Sequence, residues 1–204
     1  MSMIIFTKDV SASRAIPTGF TLIEAMIAIT VLTLSVAGPL FTASRAIDAA
    51  QLSSYQLTAS YLGQESIEYM RAMRDDEYLL AYKAGDTNIS TTAWNNFLNG
   101  SDPGSITQCR TKTCTFDPTA HGGMGTGSGF ALNQCTGSTC TPLYLAGGVY
   151  TQQNYSGATV TPFTRTVQAI DVSTTEEKIV STVSWNFHGT PYSVVITDHL
   201  TPWQ

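Results

Sequence analysis

The sequence predicts an α+β chain in which one long N-terminal α-helix packs on a small antiparallel β-sheet, the helix being membrane-spanning over its first half and amphipathic over its second. Three observations predict it. Twenty uncharged residues separate Glu24 from Arg45. Apolar or small residues then recur at steps of three and four from Leu52 to Met73. Alternation of apolar and polar residues appears between Ile179 and Leu200.

The first element is the apolar run from Phe20 to Phe41, interrupted only by Glu24 and by small or hydroxyl residues such as Thr30, Thr33, Ser35 and Gly38. Its length suits one membrane crossing. A secretory signal peptide has a shorter apolar core followed by a small-residue cleavage site, whereas here the candidate cut precedes the run. Lys8 and Arg14 stand against Asp9 before the run, and no Lys or Arg lies between Arg14 and Arg45. This bias places the N-terminus in the cytoplasm and predicts that the rest of the chain is exported.

The hexapeptide Gly19-Phe20-Thr21-Leu22-Ile23-Glu24 and the run behind it resemble the processing and assembly signal of type IV pilins and of the pseudopilins of type II secretion. The resemblance covers Pro17 to Pro39 closely and is loose beyond; the family carries Lys or Arg before the glycine, where this chain has Thr18. It implies that a prepilin peptidase cuts after Gly19 and that Phe20 becomes a methylated N-terminus. It further implies a pilin-like fold, divided into a leader (1–19), a transmembrane or filament-core helix (20–41), its amphipathic continuation (42–83) and an exported globular domain (84–204). The implied function is that of a pilin, minor pilin or pseudopilin, a single-pass inner-membrane protein before assembly and part of an extracellular or periplasmic filament afterwards. Its implied partners are other pilin subunits, the peptidase, the inner membrane and the assembly platform.

Glu24 is the awkward residue of the run. An unpaired carboxylate in hydrocarbon costs on the order of a few kcal/mol, or takes up a proton. Cutting after Gly19 creates an α-amino group on Phe20 that Glu24 of another copy can meet, and such a pair sets axial register even where desolvation cancels its net stability. The plainer reading is a near-surface acid that favours a helix N-terminus. Farther along, Gly38-Pro39 predicts a kink or local opening, because Pro39 has no amide for the Ser35 carbonyl. The resemblance gives such a breaker a role in letting the segment extend during assembly.

Beyond the run, Leu52, Tyr55, Ala59, Leu62, Ser66, Tyr69 and Met73 form one helical stripe, with Gln51, Gln64, Glu65, Glu68, Arg71 and Asp75 on other faces. The helix is expected to reach about Asp75, roughly 80 Å at about 1.5 Å per residue. Ala59 and Ser66 make this stripe a poor zipper, so packing on the chain's own sheet is favoured over a free coiled coil. Asp75-Asp76-Glu77 reads as a solvated helix end, since acids there oppose the macrodipole.

From Ala84 to Ser156 the composition turns to Gly, Ser, Thr and Asn, which predicts surface loops with short strands at Tyr144-Leu145 and Gly148-Val149-Tyr150. The glycine run at 121–129 is no phosphate cradle, because it lacks a preceding strand and a following Lys-Ser/Thr helix. Strands return over 157–204. Ile179, Val183, Trp185 and Phe187 share a face, as do Tyr192, Val194, Ile196 and Leu200, and His188-Gly189-Thr190-Pro191 joins the two as a hairpin. Phe163 to Ile170 is a third strand, reached through the polar loop Ser173 to Glu177.

Cys109, Cys114, Cys135 and Cys140 form two pairs with equal gaps. In an exported chain they predict two disulfides; three pairings are possible, and closure within each pair is the simplest. A four-thiolate zinc site is the alternative, disfavoured by export. His121, His188 and His199 have no acidic partner at triad or metal spacing. Arg110 and Lys112 read as a solvated loop tip, and two cations in a chain of net charge −5 make a poor nucleic-acid footprint. Asp171, Glu176 and Glu177 read as loop charges. The Asn-X-Ser sequences at Asn88, Asn99 and Asn154 carry no assigned modification. With no nucleophile–base set and no cofactor motif, the expectation is a structural subunit without enzymatic activity, cofactor or metal. The competing reading is a filament-tip adhesin or DNA-binding subunit that uses the cysteine-bounded loops. With 204 residues and 43% hydrophobic content, the chain has one modest core beyond the membrane segment.

Overall fold

The computed structural model describes residues 19–101, 104–120, 131–136 and 140–202. The leader expectations at Lys8, Asp9, Arg14, Pro17 and Thr18, the glycine run with His121, and Trp203 lie outside the described residues. The chain divides into two units, Met1–Ala49 and Ala50–Gln204, and helix α1 (Leu22–Ala84) contributes to both.

In the first unit, every described residue from Gly19 to Ile47 is exposed, including Phe20, Leu22, Ile23, Leu32 and Phe41. The helix is assigned without interruption through Gly38 and Pro39, where Pro39 has no amide to donate to the Ser35 carbonyl. In the second unit, α1 buries Ala59, Leu62, Ser66, Tyr69 and Met73, the stripe expected from their spacing, and leaves Gln51, Gln64 and Glu68 outside.

The helix ends at Ala84, one residue past the continuation expected at 42–83 and well past the end near Asp75 read from its stripe, and this corrects the reading of Asp75-Asp76-Glu77 as a solvated terminus. Asp76 and Glu77 are buried and both interact within the domain. The reason is periodicity: Met73, Glu77 and Ala81 continue the stripe at steps of four, so burial of that face outweighs the macrodipole's weak preference.

That face covers a five-stranded antiparallel sheet in the order β2 (Ala131–Gln134), β1 (Cys114–Asp117), β6, β7 and β8. Its long strands are β6 (Thr164–Ser173), β7 (Glu176–Phe187) and β8 (Thr190–Leu200). Ile179, Val183 and Trp185 are buried, and Tyr192, Val194 and Ile196 are half-buried on the same side. The connecting turn is shorter than expected. His188 and Gly189 alone form it, with φ of 50° and 83°, the two positive values of a type I′ hairpin turn. Thr190 and Pro191 already pair with Phe187 and Asn186, and Pro191 is tolerated because β8 is an edge strand. Helix and sheet approach closely at Gly63, where a Cβ would stand 2.9 Å from Ile196 Cδ1.

The region from Ala84 to Ser156 is far more ordered than its composition suggests. It contains α2 (Ile89–Asn99), α3 (Thr107–Thr111), β1 (Cys114–Asp117), β2 (Ala131–Gln134), β3 (Tyr144–Ala146) and β4 (Val149–Thr151). Strands β1 and β2 extend the main sheet, so the sheet is not confined to 157–204. Strands β3 and β4, with β5 (Thr159–Val160), form a second, three-stranded sheet in the order β4-β3-β5. In α2 the apolar side chains Ala93, Trp94, Phe97 and Leu98 fall on one face and are buried. Trp94, Phe97 and Leu98 join Met70, Met73, Ile106, Phe116 and Ile179 in the larger core cluster. A fully buried side chain of this size contributes about 1.5–3 kcal/mol, so this polar-looking segment supplies a large part of the core.

Candidate assembly segment and cysteine-bounded loops

Gly19 and Phe20 precede α1, and Thr21 stands at its threshold. The Glu24 and Ala25 amides donate to the Thr21 carbonyl at 3.1 Å, and the Glu24 amide also reaches Thr21 Oγ1 at 3.3 Å. Thr21-Leu22-Ile23-Glu24 therefore has the spacing of a capping box, with a hydroxyl acceptor three residues ahead of an acid. The structure places Glu24 in the first turn of α1, where the helix dipole favours negative charge. The Thr21-to-Glu24 spacing carries this capping pattern in the sequence itself, overlapping the motif at Gly19-Phe20.

The hydroxyls of the apolar run are satisfied by the helix itself. Thr30 donates to the Ile27 carbonyl at 2.8 Å, Thr33 to Thr30 at 2.9 Å, Ser35 to Leu32 at 2.8 Å and Thr42 to Pro39 at 2.9 Å. Each side-chain donor is thus turned back onto the backbone, which removes the cost of presenting it to hydrocarbon. The run closes at Arg45, whose guanidinium lies 5.2 Å from the Phe41 ring centroid. By length and composition, α1 is a helix able to cross a membrane.

The cysteines close within their pairs, Cys109 to Cys114 and Cys135 to Cys140, with Cα separations of 5.4 and 4.8 Å. The first bridge ties α3 to the start of β1 inside the larger core, and the second follows β2. Among the described residues no three His, Cys, Asp or Glu side chains gather as a metal site.

Arg110 is not a loop tip. Its Nε donates to Glu177 Oε1 at 3.0 Å, its Nη1 to Asn99 Oδ1 at 3.2 Å, and its Nη2 lies 3.1 Å from Asp171 Oδ2. Glu177, read from sequence as a loop charge, is fully buried on β7, and burial pushes its carboxyl above the usual range although Arg110 opposes the shift. The misreading has a simple cause: β7 begins at Glu176, so the inward alternation of Ile179 extends back to Glu177. Lys112 stays exposed, which leaves one cation of the pair considered for nucleic-acid contact.

A fully buried cation, Arg165 on β6, went unnoticed in the sequence. It is bonded through Nη1 to Glu65 of α1, and its guanidinium carbon sits 4.0 Å over the Phe116 ring. Burial lowers its affinity for a proton while Glu65 raises it. Its only sequence signal was its place at an inward position of the alternating strand, two residues from Val167. Near it, Asp117 accepts bonds from the Thr119 hydroxyl at 2.7 Å, the Thr119 amide at 3.0 Å and the Thr151 hydroxyl at 2.9 Å. Burial alone would raise the Asp117 carboxyl, but these bonds outweigh it and hold the group below the ordinary range. Such networks join strands to loops and fit structural roles. His199 Nδ1 lies 2.6 Å from Glu176 Oε1 on an exposed surface, and His188 stacks on Phe187 with ring centroids 4.2 Å apart.

No family model matches the chain, and no curated protein or solved structure matches it significantly.

Proposed function

We propose that the chain is a structural subunit of a type IV pilus-like filament, as a pilin, minor pilin or pseudopilin, processed after Gly19 and assembled through the apolar first half of α1. The observation that carries the proposal is the fully exposed apolar helix from Leu22 to Ile47, with Glu24 as the only charge before Arg45. A surface of that size needs lipid or other protein around it. In the membrane, lipid supplies the cover; after extraction, the same segment of other copies does. Glu24 then answers the α-amino group that cleavage creates on Phe20, and the globular unit is carried outside the inner membrane on the filament surface. Prepilin peptidase and the assembly platform are the partners this route requires.

Mass spectrometry of filament material tests the reading: the N-terminal peptide should begin at Phe20 and carry one extra methyl group. Finding Met1 intact in assembled material would overturn it. A Glu24→Gln variant should remain in the membrane and fail to assemble, and normal filaments from that variant would remove Glu24 from the mechanism.

A further inference from the structure

In the second unit, α1 leaves a groove of about 370 Å³ lined by Thr58, Tyr61, Leu62 and Glu65 of the helix and by Tyr150 of β4. The helical residues are spaced i, i+3, i+4, i+7, a single stripe. Tyr61 is 64% exposed, and Glu65 lends one carboxylate oxygen, Oε2, to Arg165 while its side chain remains 42% exposed. The groove is therefore apolar except for a partly open negative charge at its C-terminal end.

The first unit carries a stripe of the same spacing in Gly38, Phe41, Thr42 and Arg45. The two stripes correspond position by position. An aromatic ring stands at the second place of each, Phe41 and Tyr61, and the last place holds opposite charges, Arg45 and Glu65. Arg45 is the one basic residue of α1 before Arg71, and its only described side-chain contact is with the Phe41 ring. Gly38 would face Thr58, and its missing side chain permits close approach.

We infer that the groove binds a second copy of this chain: the Gly38–Arg45 stripe of one copy lies parallel to the Thr58–Glu65 stripe of its neighbour, with Arg45 beside Glu65. The parallel sense follows from a common membrane topology of all copies. The pairing sets an axial offset of twenty residues between the two helices, on the order of 30 Å at the α-helical rise. The inference rests on the assembly proposed above and adds to it the partner surface and the register.

The test uses the full-length chain in assembled filaments. Phe41→Cys and Tyr61→Cys are placed on separate copies, each co-expressed with the parent chain so that filaments form even if a uniform variant does not. Both sites are exposed, at 65% and 64%, so neither change disturbs the folded domain. Treatment with a thiol oxidant should yield a covalent dimer only when both variants share a filament, with mass spectrometry locating the bridge between residues 41 and 61. Filaments that begin at Phe20 but give no such dimer, or that give dimers equally from either variant alone, would overturn the register while leaving the filament reading intact. Failure of the parent chain to assemble would overturn both. As an independent readout, Arg45→Glu should lower filament yield at least tenfold while Arg45→Lys preserves it, and equal yields from the two would also refute the pairing.

Discussion

Between Leu22 and Ile47, α1 turns leucine, isoleucine, valine and phenylalanine outward on all sides, whereas from Ala59 to Ala81 the same helix buries one stripe and leaves polar side chains outside. Helix propensity does not separate the two stretches; what surrounds them does. The second is amphipathic because its cover is the chain's own sheet, on one side only. The first has no stripe: its apolar side chains stand exposed on every side, which is what the proposed cover by lipid or by other copies would require. The same contrast governs polar atoms. Hydroxyls in the first stretch bond back to the helix, while charged groups in the second, such as Glu65 and Arg71, reach across to the sheet residues Arg165 and Asp198.

The sharpest way to break this comparison is to remove a large side chain from each region. Phe97→Ala, on the buried face of α2, should destabilise the second unit by about 3–5 kcal/mol, read as a shift in the urea midpoint followed by tryptophan fluorescence in detergent. Leu32→Ala in the exposed half should leave that midpoint unmoved. A shift in both would mean that the second unit depends on the apolar half for its stability. Next in size, Glu65→Gln leaves the buried Arg165 guanidinium with a neutral partner. Since Glu65 is partly exposed, the loss should be on the order of 2 kcal/mol, less than for a wholly buried pair. Unchanged stability would show that stacking on Phe116 alone suffices to hold Arg165.

The two disulfides sharpen the comparison within the second unit. Each closes a loop of similar length, for which chain entropy allows about 2 kcal/mol. Cys109 and Cys114 are buried in the main core, whereas Cys140 is only half-buried. Replacing Cys109 and Cys114 together by Ala should therefore cost more than the same change at Cys135 and Cys140, because packing is lost along with the crosslink. Equal costs in thermal unfolding would reduce both bridges to their entropic effect.

Much of this arrangement was legible in the sequence because periodicity survives wherever one face is buried. The stripe from Leu52 to Met73 and the alternation from Ile179 to Leu200 both carried through to burial. The segment from Ala84 to Ser156 was not legible, since Ser, Thr and Asn dominate its average while Trp94, Phe97 and Leu98 supply its packing. Asn88 and Gly100, flanking α2, were the local signals that would have revealed that helix. The buried charges were missed for another reason. Arg165 and Glu177 look solvated one at a time, and only partners 49 to 100 residues away, the half-buried Arg110 among them, make their burial possible. In the assembly segment, residue types and order carried the whole proposal, and the structure adds its surroundings: complete exposure and inward-turned hydroxyls.

The smallest expected effect comes from pH and separates the two buried carboxyls of the second unit. Glu177 binds its proton more tightly folded than unfolded, so its contribution to stability is greatest in acid and declines as pH rises from the ordinary carboxylate range to its raised folded value. Asp117 is the reverse: its contribution is present above the unfolded value and is lost as pH falls through its depressed folded value. Stability should accordingly rise slightly on acidification toward about pH 4 and fall below it. Glu177→Gln should flatten the upper slope, because the neutral amide carries no proton to lose as pH rises. Asp117→Asn should flatten only the lower one. If each variant altered the opposite limb in urea titrations run across pH, the burial of Glu177 and the hydrogen bonds to Asp117 would have been assigned the wrong sign.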